Sequence, residues 1–315
     1  MNGKLARSYL LLILTTLLLL LSGCKVWRQD PVLHLTAEGI NTATAAKMES
    51  TAPVYTFSFD RRMDHAEDVK MYAPFLRYLE KATGYHFKML PMAQNDNLID
   101  ALGDGRVDMA AIGTLSYLQA QQKYGVRVIA RGITNQGKAQ YRALIITAAG
   151  SKIKSLQDLR GKTFAFGADT STQGHLIPLI MLDKAGITLK DLARYTFTGS
   201  HFDTANAVLS GNYAAGGIQD QLGRDLADKG LVRILAESED FPSSTISVSS
   251  RLPADVVAKI QEALLAFDPT GKDKASLYHW EQTEMPLGFQ PADDSVFANA
   301  RVWAEQLGLL NGGAK

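Results

Sequence analysis

From Val54 onward, short strand-like runs and helical patterns take turns along the chain, and this alternation restricts the possible folds more than any other feature. Val54-Tyr55-Thr56-Phe57-Ser58-Phe59 alternates as a strand does, and Tyr72, Phe75, Leu76 and Leu79 then recur at helical spacing until Gly84 closes the helix. Tyr85 to Leu90 reads as the next strand, Asn97 to Leu102 as a helix closed by Gly103 and Gly105, and Val107 to Ile112 as a buried strand. Strands alternating with helices build βαβ units and a mainly parallel sheet, because parallel neighbours need a crossover that a helix supplies.

A second series starts after Gly150. Ser155 to Gly161 reads as a helical turn, Thr163 to Gly167 as a strand, Leu176 to Lys184 as a helix, Tyr195 to Thr198 as a strand and Phe202 to Leu209 as a helix, with further strands at Ala214 to Ile218 and Val232 to Ala236. Beyond it lie an extended run, Thr245 to Ser249, an amphipathic helix with Val256, Val257, Ile260, Ala263, Leu264 and Phe267 on one side, and a last helix around Phe297 to Leu307. We read these as returning to the first unit. The expectation is an α/β chain of two lobes, 54–145 plus 246–310 and 146–245, with crossings near Leu144 to Ala149 and near Thr245 to Ser249 and a cleft between the lobes. Ligands of open α/β sheets sit beyond the carboxyl ends of the strands, and domain interfaces are common pocket sites.

Three strand-to-helix turns place hydroxyls at such ends. Asp169-Thr170-Ser171-Thr172-Gln173-Gly174 precedes the Leu176 helix, so hydroxyls and the unpaired N–H groups of a helix start meet in one place, which suits an oxyanion. Taken alone, such a turn is more often a simple N-cap. Thr198-Gly199-Ser200-His201 adds a hydroxyl and an imidazole that the helix dipole keeps neutral, against the equal alternative of a capping serine beside a surface histidine. Gly113-Thr114-Leu115-Ser116-Tyr117 opens a third helix and offers the Tyr117 phenol across the cleft, although a tyrosine in a first helical turn is more often packing than ligand contact.

The start of the chain supplies an address. Lys4 and Arg7 precede an apolar run from Leu10 to Leu21, which is shorter than the roughly 20 residues of a spanning helix, and small residues lead to Cys24. Residues 1–23 are read as a signal peptide and 24–53 as a polar tether. Leu21-Ser22-Gly23-Cys24 resembles the lipobox of bacterial lipoproteins, which implies lipid attachment at Cys24 and a place in the cell envelope facing the periplasm or the outside.

Composition excludes several classes. With 33 basic and 32 acidic residues there is no electrostatic footprint for nucleic acid. Cys24 is the single cysteine, which removes intrachain disulfides, thiol nucleophiles and cysteine metal sites. His34, His65, His86, His175, His201 and His279 form no close-set ligand pair, so no metal and no cofactor are expected. Ser200 beside His201 lacks triad geometry, no G-x-S-x-G elbow occurs, and Gly161-Lys162-Thr163 fails as a P-loop because Leu156 stands where its first glycine belongs. No catalytic residue is assigned and the protein is read as no enzyme.

The succession of motifs resembles the phosphate/phosphite/phosphonate-binding proteins of ABC importers, within the type II periplasmic-binding fold. The resemblance is carried by Tyr72 to Leu79 with Gly84, Gly105-Arg106-Val107-Asp108 running into Ile112 to Ala120, Leu156 to Lys162, Phe164 to Gly167, Ser171 to Pro178 and Gly199-Ser200-His201, in consistent order over roughly residues 54 to 267. It implies that Ser171, Thr172, His201 and Tyr117 bind the oxyanion, with backbone amides between Ser171 and Gly174 adding donors and Gly174 letting the backbone come close. Thr170, Gln173, Ser200 and Gln219 complete the expected ligand set.

Two departures stand out. Where relatives that take aminoalkyl phosphonates carry acidic residues, an approximate alignment puts Gln219 and Ser243, with Asp220 and Asp240 nearby. Asn95 or Asp96 replaces a tyrosine usual before the first-lobe helix. These favour a compact oxyanion, phosphate or phosphite, over an amine-bearing ligand. The resemblance therefore implies a monomeric lipid-anchored protein that captures a small phosphorus oxyanion for the permease and ATPase of an ABC importer. The alternatives are a ligand-sensing lipoprotein that signals to a membrane receptor, and transport of a different small anion.

Overall fold

The computed structural model describes residues 52–60, 65–92 and 96–310 of the 315-residue chain. The expected signal peptide, Cys24 and nearly all of the tether lie outside the described residues, as does Asn95. Among the described residues no helix is long and apolar enough to cross a membrane.

The first lobe starts with β1 (Val54–Phe59), α1 (His65–Thr83), β2 (His86–Met89), α2 (Leu98–Asp104), β3 (Met109–Ile112), α3 (Thr114–Tyr124) and β4 (Arg127–Gly132). Parallel pairing of β1 with β2 and with β3 follows from the two helical crossovers. All four residues of β3 are buried, as a central strand covered on both faces requires. The stripe read from sequence, Tyr72, Phe75, Leu76 and Leu79, lies in the same apolar cluster as Phe57 and Phe59. Full burial of such side chains stabilises by about 1.5–3 kcal/mol each.

The crossings fall earlier than the sequence suggested. Ala143-Leu144-Ile145-Ile146-Thr147-Ala148 is β6, buried from Ala143 to Thr147, and it belongs to the second sheet. Its unbroken apolar character marks a strand covered on both faces rather than a connection. The chain crosses instead through β5 (Gln140–Tyr141), which pairs antiparallel with β11 (Phe241–Pro242), so the outgoing and returning segments form one two-stranded ribbon.

The second lobe continues with β7 (Thr163–Phe166), a π-helical turn (Thr172–Leu176), α4 (Ile177–Lys184), β8 (Arg194–Phe197), α5 (His201–Leu209), β9 (Ala215–Gln219), α6 (Asp220–Asp228) and β10 (Val232–Glu237). Its sheet runs β10-β6-β9-β7-β8, with β7 parallel to β8 and β9 and with β6 antiparallel to β9 and β10. After the ribbon the chain returns. β12 (Thr245–Val248) inserts antiparallel between β3 and β4, and β13 (Phe289–Pro291) adds an outer strand beside β4.

Helix α7 (Ala254–Leu265) buries Val256, Ile260, Ala263 and Leu264 in the cluster that holds α1, and Tyr78 donates to the Ala263 carbonyl at 2.8 Å. Helix α8 (Ala298–Gln306) packs beside α3, where Gln119 Nε2 donates to the Leu309 carbonyl at 2.9 Å and Arg301 to Gln121 Oε1 at 3.0 Å. Another apolar cluster contains Leu115, Tyr117 and Leu118 of α3 together with Leu176, Ile177 and Leu179 of the second lobe.

Candidate ligand-binding site

The turn after β7 is built from behind by two glycines and a histidine. Gly167 N–H donates to the Gly174 carbonyl at 2.8 Å, and a Cβ placed on Gly174 would lie 2.9 Å from the Gly167 Cα. Only hydrogen fits there, so Gly174 meets a neighbouring strand end and not the cavity. His175 is buried against Phe166 and Phe197, with ring centroids 5.3 and 4.7 Å away. Its Nδ1 lies 2.6 Å from the Asp169 carbonyl, and because a carbonyl only accepts, Nδ1 carries the hydrogen. Burial holds the imidazole below its ordinary pKa of 6.5, against the opposing effect of that hydrogen bond.

With the turn braced in this way, Ser171 N-caps the π-helical turn, accepting from Gly174 N–H at 2.9 Å, while Leu176 N–H reaches the Ser171 carbonyl at 3.1 Å. π-Helical turns are often found at functional sites, and the first N–H groups of a helix lack intrahelical partners. Here these are the amides of Thr172 and Gln173. A hydroxyl that accepts one bond keeps its own hydrogen, so Ser171 caps the helix and still has a donor.

A cavity of about 930 Å³ lies against this turn. Its second-lobe wall is Ala168 to Gln173 together with Thr198 to His201, so the structure brings Thr170, Ser171, Thr172, Gln173, Ser200 and His201 around one space. Their roles there differ. Gln173 directs its side chain away, with Nε2 donating to the Arg142 carbonyl at 2.6 Å and to Asp220 Oδ1 at 3.2 Å. Ser200 caps α5, accepting from Asp203 N–H at 3.0 Å and giving its hydroxyl hydrogen to Asp203 Oδ2 at 2.7 Å. Asp220, the base of the Gln173 anchor, has its pKa raised, chiefly by burial.

Three expected residues do not line the cavity: Tyr117, Gly174 and Gln219. Tyr117 is corrected outright. The residue is 1% exposed, its ring packs on Phe297 with centroids 4.7 Å apart, and its hydroxyl donates to Asp294 Oδ1 at 2.7 Å. Burial first, and then that carboxylate, push its pKa up. The reason is helical phase: Gly113 and Ser116, three apart, face the cleft, and Tyr117 is turned roughly 100° further round the axis. Gln219 ends β9 opposite Ala143 and precedes α6. Ser243, weighed beside it, is fully buried and donates to the Gly132 carbonyl at 2.6 Å.

The first lobe supplies residues that sequence reasoning passed over. Asp60, at the end of β1, accepts from Gly113 N–H at 2.8 Å and from the Ser116 hydroxyl at 3.0 Å, and it lines the cavity. Asp96, Asn97, Leu98 and Ile99 come from the start of α2, where Asn97 caps the helix through bonds from Ile99 N–H at 2.9 Å and Asp100 N–H at 3.2 Å. Ser244 and Glu284 also line it and are hydrogen-bonded to each other. The lobes touch where Thr172 Oγ1 accepts from Leu115 N–H at 2.8 Å. Carboxylates at Asp60, Asp96, Asp169 and Glu284 therefore border the cavity, whereas Gln219 and Ser243, one of the two grounds for disfavouring an amine-bearing ligand, do not line it.

Two α/β lobes joined by a paired crossing, with a polar cavity between them, define a two-lobed binding protein of the type II periplasmic class. The structure of a Prochlorococcus marinus protein in complex with methylphosphonate superposes with a TM-score of 0.72 at 19% identity, covering 81% of this chain and 98% of that one. A family profile described as "ABC transporter, phosphonate, periplasmic substrate-binding protein" matches residues 57–297, and the chain belongs to that family. Among curated relatives, a probable ABC transporter phosphite binding protein of Prochlorococcus marinus is 28% identical over 172 residues, 52% of each chain. The phosphonates-binding periplasmic protein of Escherichia coli is 26% identical over 216 residues, 65% of this chain and 64% of that one. The matched stretch thus spans about half of the first relative and under two thirds of the second.

Proposed function

We propose that this chain is a solute-binding lipoprotein, anchored by lipid at Cys24, that captures a small phosphorus oxyanion (phosphate, phosphite or a phosphonate) between its lobes and presents it to the permease and ATPase of an ABC importer. The observation that carries the reading is the convergence of the Ser171-Thr172 turn and His201 on one cavity in a chain of the phosphonate-binding family. Hydroxyl hydrogens and amides at a helix start hold the oxyanion from the second lobe, and closure brings the first lobe over it. Capture needs no cofactor and no bond-breaking step. The names of the relatives, which refer to phosphite and phosphonates, and the methylphosphonate complex support the ligand class.

Calorimetric titration of the folded protein with phosphate, phosphite, methylphosphonate and 2-aminoethylphosphonate tests the reading. We expect saturable binding of at least one. No heat from any of them, in protein that melts cooperatively, overturns the ligand assignment. Mass spectrometry of the mature N-terminus tests the anchor, with a diacylated Cys24 expected.

A further inference from the structure

We propose that Thr172 couples capture to closure: its hydroxyl caps helix α3 of the opposite lobe, so the turn that meets the oxyanion is also the latch that holds the lobes together. The inference rests on the oxyanion reading above and gives Thr172 a second role, as a positioning residue.

Helix α3 has no cap of its own. Its N-cap residue is Gly113, which offers no side chain, and the amides of its first turn have no acceptor inside the helix. An N-cap side chain accepts from the second or third helical N–H, here that of Leu115 or Ser116. The Leu115 N–H instead donates to Thr172 Oγ1 at 2.8 Å, in a buried contact from across the cleft. The two lie close in space as well as in kind. A Cβ placed on Gly113 would be 3.0 Å from that oxygen, so Thr172 stands beside the point where a side chain of residue 113 would begin.

The flanking residue sets the position of this contact. Thr114 is fully buried and its hydroxyl donates to the Pro242 carbonyl of β11 at 2.8 Å, which ties the first residue of α3 to the returning strand of the crossing. Leu115, one residue on, reaches the second lobe. Its side chain belongs to the same apolar cluster as Leu176 and Ile177, which follow the oxyanion turn. Separation of the lobes breaks the bond, and a cap of this type corresponds to about fivefold in the equilibrium between shut and open forms.

Both partners belong to the chain, so the latch acts before a ligand arrives. It raises the fraction of molecules in the shut form, and apparent affinity rises in proportion to that fraction. The ligand contact is kept. A hydroxyl that accepts from Leu115 retains its own hydrogen, and Thr172 lines the cavity, so one oxygen both joins the lobes and donates to the oxyanion. By linkage, an oxyanion that prefers the shut cleft tightens the latch in return.

Amide hydrogen exchange of Leu115, followed by NMR, tests the latch, because α3 itself gives this N–H no acceptor. In ligand-free wild-type protein the amide is expected to be protected. Thr172→Val is expected to speed its exchange by at least about fivefold, and Thr172→Ser to restore most of the protection. Valine keeps the shape and serine keeps the hydroxyl, so an effect of packing alone would give the opposite order. Equal exchange in wild type and Thr172→Val, both melting cooperatively, overturns the latch. If Thr172→Val does not fold, Thr172→Ala is compared with Thr172→Ser in the same way. Saturation of the wild type with methylphosphonate, phosphite or phosphate is expected to slow Leu115 exchange further, and a bound ligand that leaves it unchanged overturns the coupling. Wild-type protein that binds none of them, nor 2-aminoethylphosphonate, overturns the functional reading and with it the coupling to capture, whereas the ligand-free exchange rates still decide the latch.

Discussion

Two helix starts face each other across the cleft, Gly113 to Ser116 in the first lobe and Ser171 to Gly174 in the second. At the first, the amide and hydroxyl donors converge on Asp60 Oδ2, and the next residue, Tyr117, turns away to Asp294. At the second, Gly167 and His175 hold the turn from behind, while Ser171 and Thr172 line the cavity. Both segments contain glycine and hydroxyls at a strand's end. What separates them is a partner more than fifty residues distant in the chain, Asp60, which accepts from both the amide and the hydroxyl of the first-lobe helix start.

If the second-lobe turn is the working wall, damage to its backbone has the largest effect. Gly174→Ala forces a Cβ to 2.9 Å from the Gly167 backbone, an overpacking expected to cost about 1–3 kcal/mol, and it shifts the turn enough to abolish ligand binding. A variant with unchanged melting temperature and affinity would show that this close approach is unimportant. Thr172→Val comes next. It leaves the Leu115 N–H without its acceptor at a buried contact, an expected loss of about 1–3 kcal/mol in denaturant unfolding, together with weakened binding of phosphate or methylphosphonate.

Tyr117→Phe sharpens the contrast from the opposite side. Loss of the bond to Asp294 is expected to lower stability by about 1 kcal/mol without changing ligand affinity. Affinity that fell with it would return the phenol to the site. The smallest effect concerns pH. The folded His175 pKa is depressed by burial, so the unfolded chain binds this proton more readily. Its contribution is fully present above the ordinary pKa of 6.5 and is lost as pH falls through the lower folded value. Melting curves of His175→Phe should show a shallower acid-side decline than the wild type, and an equal slope would exclude His175 as its source.

Much of the fold was legible because its signals are local. The Val54 alternation, the Tyr72 to Leu79 stripe and the Val256 to Leu264 stripe each became the expected element. Ser171 and Ser200 are both helix caps that also line the cavity, and they differ in the hydroxyl hydrogen, which Ser200 gives to Asp203. The β6 run lacks alternation because both of its faces are covered, so its sequence does not distinguish a sheet strand from a crossing. Helical phase separates Tyr117 from Ser116, but which of the two faces the cleft is set only by how α3 packs. Asp60 and Glu284 carried no local signal at all: a single carboxylate after a strand, or within an irregular C-terminal stretch, gains meaning only when distant segments fold against it.

The paired crossing has a consequence for how such a molecule can change. All strands of the second sheet fall between Ala143 and Glu237, and the chain enters and leaves this stretch through two hydrogen-bonded segments, β5 and β11. The second lobe is in effect a cassette inserted into the first, with its ends one strand spacing apart, about 4.8 Å. Excision at the ribbon and sealing with a short turn would leave both sheets with their full sets of strands. One wall of the cleft can therefore be exchanged whole, with the first-lobe wall retained, and a new ligand preference obtained by recombination in place of point-by-point mutation.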